Sequence, residues 1–225
     1  MGDIEAVYLL RVGSAWVIEM KNNVRKWLEE DGEEFLRKVG IRKGQIVLDF
    51  GCGSGNYAIP AARIVGGEGK VYALDEKRWG VWPGEGLDDL AKRVESRGLG
   101  NIVMMKTSGE LKIALKAESV DVVLFYDVLH YYYFPVAGDR RRLLQEVYRI
   151  LKPDGFISFY PGDPDVSHNY RELEVIKKEI EEANFCLESE YAGVTIHENV
   201  LVGGHVLNFR KKLSKQQRTE DNMLL

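Results

Sequence analysis

Cysteine, histidine and long apolar runs are all scarce in this chain. Two cysteines, Cys52 and Cys186, and four histidines among 225 residues make neither a disulfide framework nor the paired spacing of a zinc site. No metal is expected, and a reducing, cytoplasmic setting is. No apolar stretch approaches the roughly 20 residues of a membrane span. Thirty-one basic residues face 35 acidic ones, a net charge of −4, so no global excess of positive charge draws the chain to nucleic acid or to an anionic membrane. Asp3 and Glu5 stand where a secretory leader would be basic. No internal repeat is visible. What remains is the composition of an ordinary globular protein, long enough for one α/β domain with a substantial core.

Residues 45–57 organise the rest. Ile46 to Phe50 is a short apolar run with Asp49 near its end, followed by three alternate glycines, Gly51, Gly53 and Gly55. Tyr57, Ala58, Ile59, Ala61, Ala62 and Ile64 then repeat at helical spacing. The pattern predicts strand, tight glycine loop and helix. Without a Cβ the loop can turn sharply and lie against a ligand, and the helix N-terminus beyond it attracts a negative or polar group. A dinucleotide fingerprint would need a glycine at position 56, where this chain has Asn56.

The spacing Asp49-x-Gly51-x-Gly53-x-Gly55 resembles the first motif of class I S-adenosylmethionine-dependent methyltransferases, and further features follow in order. Lys70 to Asp75 reads as a second strand ending in an acid 20 residues past Gly55, a position suited to accepting hydrogen bonds from ribose hydroxyls. After the third strand (101–106) the family usually places an aspartate against the adenine amine; here Ser108 stands there. The fourth strand (121–126) runs into Asp127-Val-Leu-His130, as many members run into a Leu-His turn. Tyr148 to Phe156 resembles the segment before the family's fifth strand. The likeness is to the branch that includes ubiquinone and menaquinone biosynthesis methyltransferases.

The resemblance implies a doubly wound, Rossmann-like α/β domain of seven strands, ordered 3-2-1-4-5-7-6 with strand 7 antiparallel and helices on both faces. We expect a single domain over 1–210, with a helical segment at about 1–44 and a polar tail at 211–225. Helical periodicity from Val24 to Val39 is interrupted at Asp31-Gly32, and the segment is either a docking helix or a lid. Residues 79–86 read as a loop with Trp79 and Trp82. Leu151 to Gly155 reads as a helix stop and turn, Arg140 to Arg142 as a solvated face, and Val194 to Gly204 as a connection bordering an acceptor pocket.

The implied activity is methyl transfer from S-adenosylmethionine to a small-molecule acceptor, with S-adenosylhomocysteine as product. Asp49, Gly51, Cys52, Gly53, Gly55, Asp75, Glu76, Ser108 and Tyr126 are the expected cofactor-binding residues. His130 is the candidate base; the alternative for it is a structural hydrogen bond in its turn. Asp163, Asp165 and His168 could touch substrate. An RNA or protein acceptor stays open, as does a non-catalytic protein that keeps the cofactor fold. A nicotinamide oxidoreductase is disfavoured by Asn56.

Overall fold

Apolar residues on both sides of the central strands dictate a sheet covered twice. The computed structural model describes residues 21–76, 86–162, 167–197 and 199–212, with backbone alone for 167–172. Seven strands form one sheet: β1 (Ile46–Phe50), β2 (Lys70–Asp75), β3 (Ile102–Lys106), β4 (Val120–Tyr126), β5 (Leu151–Tyr160), β6 (Phe185–His197) and β7 (Val200–Lys211). Their order is β3-β2-β1-β4-β5-β7-β6, as the resemblance implied. Strands β1 to β5 are parallel, and β7 runs antiparallel to both β5 and β6.

Helices α1 (Gly32–Val39), α2 (Ala58–Val65) and α3 (Leu87–Arg97) cover one face, and α4 (Ala137–Ile150) and α5 (Ser167–Glu182) the other. Strand β4 shows why both are needed. Val122, Leu124 and Tyr126 pack toward α1 and α2, whereas Val123 and Phe125 pack toward α4 and α5. A strand apolar on both faces is stable only between two layers.

Three local expectations change. The segment before β1 is not interrupted at Asp31-Gly32: residues 21–26 are helical, Trp27–Asp31 form one π turn, and α1 follows directly. The wider turn lets Trp27 and Leu28 join Phe35 and Leu36 in the core. Gly32 is there for space, since a Cβ would come within 2.7 Å of the Trp27 carbonyl oxygen and 2.8 Å of Pro60. Strand β5 starts at Leu151, not after Gly155. Leu151 pairs with Val120, and a register shift between Val120 and Val122 absorbs the Lys-Pro-Asp-Gly residues.

The third change matters most for function. The expected 194–204 connection is strand: β6 and β7 stay paired from Phe185–Lys211 out to His197–Val200. Gly193 and Gly204 face each other in the ladder, and their missing Cβ atoms leave room for Tyr191 and Thr195. Gly204 falls in the expected connection but serves as a strand glycine that admits the Thr195 side chain of the facing strand. The long hairpin therefore carries its tip back over the carboxyl end of the sheet.

Candidate functional site

The loop between β1 and α2 is built by the glycines' positive φ angles, +77° at Gly51, +50° at Gly53 and +85° at Gly55. Each serves a different neighbour. A Cβ on Gly51 would lie 2.8 Å from Val128, and one on Gly55 would lie 2.3 Å from Leu90, so these two keep the loop close to protein. A Cβ on Gly53 would meet nothing within 4 Å among the described residues. Gly53 is thus the point where the loop backbone faces open space. The loop is pinned by Gly51 and Cys52 N–H groups donating to the Leu74 carbonyl at 2.8 and 3.1 Å.

Two carboxylates flank the loop. Asp75, at the end of β2, accepts the Gly53 N–H at 2.7 Å through Oδ2. Asp49, at the end of β1, is buried and accepts a hydrogen bond from the Ala58 N–H at the start of α2. Its Oδ2 has no hydrogen-bond partner among the described residues. Burial first, and then the nearby Asp75 charge, push the Asp49 carboxyl up to about 7. A buried carboxyl oxygen with no partner among the described residues, at the strand that leads into an open glycine loop, suits a ligand that brings a cationic group, which is the charge borne by the amino acid part of an adenosyl donor.

Asn56, where a dinucleotide site would have glycine, is a junction. Its carbonyl accepts the Trp27 indole N–H at 2.7 Å, its Oδ1 accepts from Arg93 Nη1 at 2.9 Å, and its Nδ2 donates to Asn199 Oδ1 at 3.3 Å. The helical segment before β1, helix α3 and the hairpin tip all meet on this residue. Next to it, the Tyr57 hydroxyl donates to the Ile196 carbonyl at 2.8 Å.

The hairpin tip also reaches β4. Asp127 follows β4 with a φ of +56°, unusual for a residue with a side chain. Its N–H donates to the Tyr160 carbonyl at 3.0 Å. Its carboxylate lies between two histidines, with Oδ2 2.6 Å from His197 Nε2 and Oδ1 3.6 Å from His130 Nε2. His130 is buried, and its Nδ1 accepts the Tyr132 N–H at 3.2 Å. The loop that follows is anchored from below. Arg140 is 1% exposed, makes a bidentate pair with Glu179 on α5, donates to the Phe134 carbonyl at 2.6 Å and stacks 4.4 Å from the Tyr131 ring. The expected solvated face therefore loses Arg140, which helical geometry turns inward, while Arg141 and Arg142 stay exposed.

The structure gathers Asp49, Gly51, Cys52, Gly53, Gly55 and Asp75 around one loop. Cys52 is buried, and desolvation followed by the Asp49 and Asp75 charges holds its thiol protonated. Tyr126 is buried at the end of β4, with its hydroxyl 2.7 Å from Ser158 Oγ and its ring 4.5 Å from that of Tyr57. Glu76 is exposed just beyond Asp75. Ser108 lies on an exposed turn at the carboxyl end of β3, ordered by Glu110, which accepts both the Ser108 N–H and the Thr107 hydroxyl at 2.8 Å. Residues 79–85, Asp163 and Asp165, and the first 20 residues lie outside the described residues, as does the side chain of His168. Sequence reasoning left Asp127, Asn56 and His197 without a site role. Asp127 ends an apolar strand next to a Leu-His turn, which is a usable signal, whereas nothing local marks His197. Among the described residues no group of three or more histidine, cysteine, aspartate or glutamate side chains is arranged to hold a metal ion, and no helix is long and apolar enough to cross a membrane.

Residues 48–159 match the family model described as a methyltransferase domain. A demethylmenaquinone methyltransferase from Geobacillus kaustophilus is 31% identical over 141 residues, 63% of this chain and 55% of that protein. One from Lactobacillus johnsonii is 28% identical over 123 residues, 55% of this chain and 46% of that protein. The chain thus spans about half the length of these curated relatives. The crystal structure of a SAM-dependent methyltransferase from Aquifex aeolicus superposes with a TM-score of 0.59 at 24% identity, over 81% of this chain and 92% of that one. That likeness establishes the shared fold.

Proposed function

Because the chain belongs to the class I S-adenosylmethionine-dependent methyltransferases, we propose that it transfers the donor's sulfonium methyl group to a small-molecule acceptor, releasing S-adenosylhomocysteine. The observation that carries this reading is the buried Oδ2 of Asp49, which has no hydrogen-bond partner among the described residues, in a site where the Gly53 backbone meets no described neighbour. Asp49 and the loop from Gly51 to Gly55 would hold the amino acid part of the donor. Asp75, which already orders the loop through Gly53, would take the ribose. Glu76 and Ser108 flank that end, and Tyr126 closes the floor. The bound donor supplies the electrophilic methyl group; the chain supplies position and exclusion of water.

A small acceptor is supported by the sequence likeness to demethylmenaquinone methyltransferases and by the absence of a net positive charge. A cytoplasmic setting is supported by two cysteines that stay as free thiols.

Thermal unfolding with S-adenosylmethionine, S-adenosylhomocysteine and NAD at matched concentrations tests the reading. A ligand at 100 times its Kd that binds the native state alone stabilises it by about 2.7 kcal/mol. Stabilisation by the two adenosyl compounds and none by NAD is expected. A shift with NAD alone would overturn the reading, and donor binding without turnover on any acceptor would turn it into a non-catalytic cofactor-binding protein.

A further inference from the structure

We propose that Arg93 is a positioning residue for the donor loop: from helix α3 it grips residues 54–56, fixes the Asn56 amide, and through that amide seats the hairpin tip. The inference rests on the methyl-transfer reading above and adds to that site a residue that acts through the loop backbone rather than on the donor itself.

The glycine loop is held from two sides. Its first half is tied to β2, by the Leu74 carbonyl and by Asp75 on the Gly53 N–H. Its second half meets one face of α3. Leu90 and Arg93, three residues apart, share that face. Leu90 packs where a Cβ on Gly55 would collide with it. Arg93 Nη1 donates to the residue on either side of Gly55, to the Ser54 carbonyl at 3.2 Å and to Asn56 Oδ1 at 2.9 Å. Two side chains of one helix thus hold three consecutive loop residues. Gly53, the open point of the loop, lies between the two grips.

The chemistry of the guanidinium sets what it decides. Arginine only donates hydrogen bonds, so the Asn56 amide turns its oxygen to Arg93 and its nitrogen away. That nitrogen donates to Asn199 Oδ1 at 3.3 Å, on the hairpin tip. The Asn56 carbonyl is taken by the Trp27 indole. Without a cation on the α3 side the amide could point either way, and Asn199 would lose its defined donor.

Arg93 stands where a charge is costly. It is half-buried and both of its acceptors are uncharged. Burial, followed by the Arg97 charge one turn on, holds its pKa below the usual value, with Asp89 pulling the other way. A solvated cation with a carboxylate partner, as Lys92 has in Asp89, would serve α3 at lower cost. What the inward position adds is control of the loop. A loop already in its binding shape gives up less freedom when the donor arrives, so preorganisation raises affinity.

The test measures S-adenosylhomocysteine affinity by calorimetry, stability by urea unfolding, and amide hydrogen exchange of the ligand-free full chain. The chains are the wild type, Arg93→Ala, Arg93→Lys, Asn56→Ala and the Arg93→Ala, Asn56→Ala double variant. Arg93→Ala should bind about 10-fold more weakly or worse, the size of a lost hydrogen bond to a charged group. Exchange at 54–57 and at the hairpin tip should rise relative to the β1–β2 ladder. Arg93→Lys, which keeps a donor, should lose less. A low, non-denaturing concentration of guanidinium ion should restore part of the affinity of Arg93→Ala, and sodium at the same ionic strength should not. The losses of Arg93→Ala and Asn56→Ala should not add, because the two residues share a bond. Lower stability with unchanged affinity and unchanged loop exchange would make Arg93 purely structural and overturn the proposal, as would fully additive losses. If Arg93→Ala does not fold, Arg93→Lys and Asn56→Ala carry the same comparison. A wild-type chain that binds no adenosyl compound would fail the methyl-transfer reading instead, and the exchange data would still decide whether Arg93 grips the loop.

Discussion

Tyr57 and Ile196, 139 residues apart, clasp each other through one hydroxyl, which donates to the Ile196 carbonyl at 2.8 Å and accepts the Ile196 N–H at 3.3 Å. One end of the clasp begins the glycine-loop helix and the other lies one residue from the hairpin tip. The hydroxyl is buried, and desolvation holds its pKa well above the usual range, so it remains a neutral donor and acceptor. Glycine loop and hairpin tip are thereby one packed unit.

Tyr57→Phe keeps the ring and removes the clasp. Both polar groups of Ile196 then lose a buried partner, which costs about 1–3 kcal/mol. Urea unfolding should show a lower midpoint with an unchanged m-value. Hydrogen exchange should show the hairpin tip, 194–202, opening more often than the β5–β7 ladder. Equal protection of both regions would mean that the clasp does not hold the tip.

The glycine loop separates packing from binding. Gly55→Ala drives a methyl group toward Leu90 at a positive φ, and overpacking of this kind costs about 1–3 kcal/mol. Gly53→Ala meets no neighbour among the described residues and bears the left-handed strain of about 1–2 kcal/mol, but its methyl fills the open face of the loop. Gly55→Ala should lose mainly stability, and Gly53→Ala mainly affinity for S-adenosylhomocysteine. The reverse pattern in unfolding and calorimetry would contradict this assignment.

Asp49 makes stability depend on pH in an unusual direction for an acid. Its folded-state value, about 7, is above the unfolded value of about 3.9, so the native state holds a proton that the unfolded chain releases. The stability tied to this proton is fully present below about pH 4 and is lost as pH rises through about 7. At 1.36 kcal/mol per unit the full effect is roughly 4 kcal/mol. Asp49→Asn lacks the titration. Relative to the wild type, the variant should gain stability from about pH 4 to about pH 7 and level off above that, as read by chemical unfolding across the range. A constant difference would mean that Asp49 ionises normally.

The Arg140–Glu179 pair ties α4 to α5 under the loop that carries His130 and Tyr131. Removing one partner strands a buried charge, so Arg140→Ala should cost about 3–5 kcal/mol. The double change Arg140→Met with Glu179→Leu should recover most of it, because an apolar pair of similar volume has no charge to desolvate. If the double variant is no better than the single one, the Phe134 and Tyr131 contacts of Arg140, rather than its charge, hold the loop.

Local sequence determined the parallel half of this protein. Short apolar strands, an acid at the end of β1 and of β2, and three alternate glycines are signals set within a few residues, because burial, backbone freedom and helix periodicity act at that range. They were enough to read the strand order through the resemblance and to pick out Asp49, Gly53 and Asp75. Tertiary structure decided the antiparallel hairpin side. Gly204 read as loop because the space it leaves for Thr195 on the facing strand cannot be seen along the chain. Arg140 read as surface because its buried partner, Glu179, is 39 residues away. His197 had no local mark at all: its place depends on a hairpin long enough to bring it to Asp127, 70 residues earlier in the chain, and such a contact is set by the register of β6 on β7, which no short stretch of sequence contains.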